Sequence, residues 1–94
     1  MFHYTICMEI EFTELTDEVE YKVLSDACVG VDGAKAERKS DVAVLHADVE
    51  DTVWNVWRGA EKVKKSAKEN NNEHVVSASV AVKEAIETRF NSSY

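Results

Sequence analysis

Tyr4, Ile6, Met8, Ile10 and Phe12 alternate without a miss, with Thr5, Cys7, Glu9, Glu11 and Thr13 between them. Successive side chains on a strand point to opposite faces, so the run predicts a β-strand with one buried face and one polar face. A strand of this kind needs a second layer to cover its apolar side. The chain has 94 residues with which to build it, enough for one domain and one lean core. Hydrophobic residues make up 45% and charged residues 31%, the balance of a folded chain rather than a disordered or low-complexity one. No apolar run approaches the ~20 residues of a membrane span.

The strand is followed by a helix. Thr16 or Asp17 can cap it, and Asp17 with Glu20 three residues on forms a variant of the capping box. Leu15, Val19, Val23, Leu24, Ala27 and Cys28 form its apolar stripe, and Gly30 stands where a C-terminal glycine belongs. Asp32-Gly33 is a turn signal. Ala34 to Lys39 alternates small and charged residues, as an edge strand does. Lys39-Ser40-Asp41 reads as a hairpin turn and Val42 to Val49 as a strand. Glu50-Asp51-Thr52 opens a second helix, whose face is Val53, Val56, Trp57, Ala60, Val63 and Ala67 and whose end is Asn70-Asn71-Asn72. His74 to Val82 predicts a fourth strand, with Val76, Ala78, Val80 and Val82 on one face.

The predicted order, βαββαβ, resembles the ferredoxin-like sandwich, an α+β fold with a four-stranded antiparallel sheet and two helices on one face. Strands one and three are central neighbours in that topology. Residues 1–94 then form a single domain, with the core in 3–82 and a short helix or tail in 83–94. The fold hosts many functions and names none.

Charge narrows the function classes. Eighteen acids against eleven bases give −7, and residues 1–30 hold seven acids and one base. Phosphate binding draws on Lys and Arg, so neither direct nucleic-acid contact nor an anionic membrane is expected. Lys62, Lys64, Lys65 and Lys68 form a small basic stripe that reads as a solvated face near a helix end. Cys7 and Cys28 are far apart, and no basic-then-apolar leader is seen, so a cytoplasmic protein with reduced thiols is expected. There is no Gly-rich phosphate loop and no G-x-S-x-G, and no cofactor is expected.

Two constellations are candidate sites. Strands one and three would bring Cys7, Glu9, His46 and Asp48 onto the open sheet face. Sulfur, imidazole and carboxylate are the donors of a zinc-like site and the parts of a thiol enzyme. The competing reading is a solvated face or a dimer interface, with Val44, Val75 and Ala81 as apolar patches. The second constellation is Glu9, Glu11, Glu14, Asp17, Glu18 and Glu20, regularly spaced carboxylates that can imitate a phosphate backbone and steer onto a basic groove. The helix N-terminus also favours acids, which accounts structurally for three of the six.

The leading expectation is a small acidic, non-enzymatic module that binds a protein partner, an inhibitor or nucleic-acid mimic acting on a nucleic-acid-binding protein. In size, charge and lack of cofactor motifs it resembles the phage anti-CRISPR and DNA-mimic inhibitors as a class. The alternatives are a homodimer that uses its open sheet face, and a metal or thiol enzyme on that same face.

Overall fold

The structure is a computed structural model that describes residues 8–91. It contains β1 (Met8–Phe12), α1 (Glu18–Cys28), β2 (Ala34–Lys39), β3 (Val42–Ala47), α2 (Glu50–Glu69) and α3 (Glu73–Asn91). Tyr4, Ile6 and Cys7 of the predicted first strand lie outside the described residues.

The sheet has three antiparallel strands in the order β1-β3-β2. Glu9 stands opposite His46 and Ile10 opposite Leu45 on one side of β3, with Lys35 and Ala36 opposite the same two residues on the other. β1 and β2 both run against β3, so α1 is the crossover between two parallel strands held one strand apart. Phe12, Ala43, Leu45 and Ala47 face the helices and are buried, while Glu9, Glu11, Lys35, Glu37, Lys39 and His46 share the outer face.

Local chemistry accounts for most of the boundaries. Asp17 accepts the Val19 N–H at 2.9 Å, and Glu20 accepts the Asp17 N–H at 3.2 Å, so the capping box is present. Gly30 follows the end of α1 at φ +82°. Ser40 and Asp41 both have positive φ, 49° and 71°, as a two-residue type I′ hairpin requires. In α2, Val53, Val56, Ala60 and Ala67 are buried, and Trp57 and Val63 are half-buried.

The fourth strand is a correction. Residues 74–82 lie inside α3, so the described residues form three helices on a three-stranded sheet and not the ferredoxin-like βαββαβ sandwich. The alternation of Val76, Ala78, Val80 and Val82 does not describe burial, because Val80 is 37% exposed while Val82 is fully buried. Ala78, Ser79, Val82, Ala85 and Ile86 are the buried positions, at spacings of one, three, three and one. That is a helical stripe, and it shows only when the window extends through Ile86. Asn72 starts the helix by accepting the Val75 N–H at 3.3 Å, and the buried Ser79 hydroxyl donates to the Val75 carbonyl at 2.7 Å. The short Asn70–Asn72 connection folds α3 back along α2 as an antiparallel pair.

Residues 83–91 continue α3, and its last turn reaches β1, where Arg89 donates to the Glu11 carbonyl and to the Glu14 carboxylate. In the predicted sandwich a fourth strand would flank β1. With residues 74–82 helical, β1 is an edge of the sheet among the described residues.

Candidate functional site

The six predicted carboxylates are divided among β1, the β1–α1 connection and the start of α1. Glu9 and Glu11 belong to β1, where Glu9 pairs with Lys39 at 3.0 Å. Glu14 pairs with Arg89 at 3.5 Å. Asp17 and Glu20 bind backbone N–H groups at the start of α1, beside the exposed Glu18. Helix packing adds a member that sequence separation conceals. Glu73, His74, Ser77 and Ala81 of α3 and Asp17, Val19 and Glu20 of α1 line a groove of about 540 Å³. The signal available for Glu73 was its position just after Asn72, an acid in the first turn of a helix. A strand over residues 74–82 has no first helical turn, so the predicted strand carries no such signal at Glu73. Glu84 lies three turns further along α3 and close to the same stripe.

The outer sheet face is closed by charge pairs. Because β3 lies between β2 and β1, the Lys39–Glu9 pair reaches across the face of β3. Val44 lies on that face between Glu11 and Glu37 and is fully buried. The Glu37 carboxylate is held below its ordinary pKa, first by its hydrogen bond to His46 and then by the lysines around it. Ionised, it can only accept, so His46 Nε2–H donates to Glu37 Oε1 at 2.7 Å. Lys39 is held above its ordinary value by its bond to Glu9.

The predicted cluster of Cys7, Glu9, His46 and Asp48 does not assemble among the described residues. Glu9 is directed to Lys39, and His46 is directed to Glu37. Asp48 lies beyond β3 and accepts from the Thr52 hydroxyl and, at 2.8 Å, from the Val49 N–H. The Thr52 bond is the first cause holding the Asp48 carboxyl below its usual range. Cys7 lies outside the described residues. No group of three or more His, Cys, Asp or Glu is placed to hold a metal among the described residues. Of the apolar patches predicted for this face, Val44 lies on it but is covered, and Val75 and Ala81 belong to α3.

α2 presents the opposite charge. Arg58, Lys62, Lys65 and Lys68 are exposed. Lys64 is drawn to Glu61 at 3.8 Å, and Glu61 also pairs with Lys83, whose ammonium lies 4.5 Å from the centre of the Trp57 ring. The Lys83 bond is the first cause lowering the Glu61 pKa. Trp57 Nε1–H donates to Glu87 at 2.9 Å. Trp54 packs edge-on against Trp57 and, at 5.8 Å between ring centres, against Phe90. The two Trp rings are therefore the seam between α2 and α3, and both are half-buried.

No helix among the described residues is long and apolar enough to cross a membrane. Comparison with protein-family models, curated proteins and solved structures finds no match to this chain, so its own residues carry the functional argument.

Proposed function

We propose that this chain is a non-enzymatic module that binds a basic protein surface, as an inhibitor or nucleic-acid mimic acting on a nucleic-acid-binding protein would. The supporting observation is the groove between α1 and α3, where Asp17, Glu20 and Glu73 meet, with Glu18 exposed beside them. Acids from two helices far apart in sequence face one groove, and the exposed bases of α2 do not line it. Fields of one sign in a concave surface steer an oppositely charged partner and set the register in which it docks.

Glu18 and Glu73 make the test because neither forms the capping box. Wild-type protein and the double variant Glu18→Lys/Glu73→Lys are each used to capture partners from host lysate at low and high salt. The wild type is expected to capture a nucleic-acid-binding protein at low salt, and both high salt and the double variant are expected to lose it. Capture that is equal for both proteins, or indifferent to salt, overturns the reading.

A further inference from the structure

The ladder geometry shows which backbone groups β1 leaves open. The Ala43 N–H turns toward the β1 side of β3, donating to the Leu15 carbonyl at 3.2 Å. Directly opposed residues of an antiparallel pair alternate between exchanging hydrogen bonds and exchanging none. Ala43 stands opposite Phe12, so Phe12, Ile10 and Met8 are the residues whose backbones face β3. Glu9 and Glu11, between them, turn N–H and C=O away from the sheet. The Arg89 bond to the Glu11 carbonyl shows that orientation. The outward N–H and C=O of Glu9 and the outward N–H of Glu11 take no partner among the described residues.

This edge forms one wall of a groove of about 540 Å³ lined by Met8, Glu9, Ile10, Glu11, Arg89 and Phe90. Its two sides differ. Ile10, Phe90 and, behind Phe90, Trp54 are half-buried and lie toward the helices. The Glu9 and Glu11 carboxylates lie on the outer face of the sheet. A strand laid along β1 would alternate its side chains between the aromatic side and the carboxylate side.

We propose that the outward edge of β1 at Glu9 and Glu11, open among the described residues, is a strand-addition site for an extended segment of the partner that alternates Lys or Arg with apolar residues. The inference rests on the reading of the chain as a binder of basic proteins and adds the mode of binding. Main-chain bonds to Glu9 and Glu11 supply the docking, and the alternation supplies the selectivity. A second copy paired antiparallel about Ile10 is disfavoured at this edge. Antiparallel pairing of two β1 strands about Ile10 would set Glu9 against Glu11 of the other copy, and like charges directly opposed destabilise a sheet pair.

The test uses the full chain, labelled with nitrogen-15, and three synthetic ten-residue peptides. One alternates Lys with Val, the second has the same charge with two central Val replaced by Pro, and the third alternates Glu with Val. The Lys/Val peptide is expected to bind at least tenfold more tightly than either of the others, and to slow hydrogen exchange of the Glu9 and Glu11 amides at least tenfold. Equal binding of the Lys/Val and Pro-containing peptides overturns the proposal, as does binding that leaves those two amides unprotected. Glu11→Pro removes an outward N–H at an edge that tolerates proline, and Glu11→Gln removes only the charge. Glu11→Pro is expected to lose at least tenfold in affinity beyond the loss in Glu11→Gln, and equal losses also overturn the edge. Both variants are compared only if their far-UV spectra match wild type. Otherwise the peptide panel on the wild type decides. Failure of the peptides with salt-sensitive capture retained overturns the edge alone. Loss of capture with peptide selectivity retained overturns the α1–α3 groove alone.

Discussion

Gly59 shows how a single residue can reverse a general rule. It lies within α2, where Gly→Ala ordinarily stabilises by about 0.5–1 kcal/mol. A Cβ built there would collide with the Ala27 carbonyl oxygen, so the glycine is what allows α1 and α2 to approach. Gly59→Ala is therefore expected to destabilise by about 1–3 kcal/mol in urea denaturation, the cost of overpacking, and a stabilised variant would count against this close approach. The hairpin tip carries the opposite prediction. Ser40 and Asp41 hold positive φ, which Asn-Gly adopts more easily. Replacing the pair by Asn-Gly is expected to raise stability by about 0.5–1 kcal/mol, read as a higher urea midpoint with an unchanged slope. Cys28 offers a chemical check on burial. Desolvation pushes its thiol up to about 11, so alkylation mapped to Cys28 by mass spectrometry should be slow in the fold and fast in urea.

At the scale of elements, α3 is where strand and helix readings diverge. Val80 and Val82 would share a face in a strand and be equally sensitive to truncation. In the helix Val80 meets solvent and Val82 is fully buried. Val82→Ala is expected to cost about 1–3 kcal/mol and Val80→Ala to stay within about 0.5 kcal/mol, which paired urea titrations would show. The elements that sequence reasoning placed correctly have strong local punctuation: the Asp17/Glu20 capping box, the Gly30 terminus, and the Ser40-Asp41 turn. α3 is punctuated too, by the Asn72 cap. Four small or branched residues at period two, read over nine positions, outweighed that cap. The Ala85 and Ile86 positions that restore the helical period lie just past that window.

At the scale of the molecule, charge is sorted by tertiary structure. Glu37, Asp48 and Glu61 all have carboxyls held below their ordinary values by partners on other elements or another turn. The folded state thus binds protons more weakly at these groups than the unfolded chain, whose ordinary values are 4.5 for Glu and 3.8 for Asp. Their contribution is complete above those values and is lost as pH falls through the depressed folded ones. Cys28 acts at the other end, since its thiol is raised from 9.0 to about 11, and its contribution is complete below 9.0 and lost as pH rises toward 11. Urea midpoints are expected to be level near neutrality, to fall below pH 4.5 and to fall again above pH 9. An unchanged midpoint down to pH 3 would remove the three carboxylates from the account.

Hydrophobic period, turn chemistry and net charge are local or additive properties, and they were enough to place β1, α1, β2, β3 and α2 and to foresee an acidic protein with a small basic stripe. The candidate sites were less legible, because a site depends on which surfaces meet. Glu73 joins Asp17 and Glu20 only because α3 packs along α1. Glu9 and His46 share a sheet face, as strand alternation implied, and the fold supplies the register that sets them opposite each other, yet Lys39 and Glu37 on β2 claim their side chains. The identity of residues 74–82 was decided in the same way. Alone the segment is compatible with either period, and burial of Ala78, Ser79, Val82, Ala85 and Ile86 in the fold selects the helix. That choice leaves β1 as an edge among the described residues, because a strand ladder can be completed only by residues that the rest of the fold has not already used.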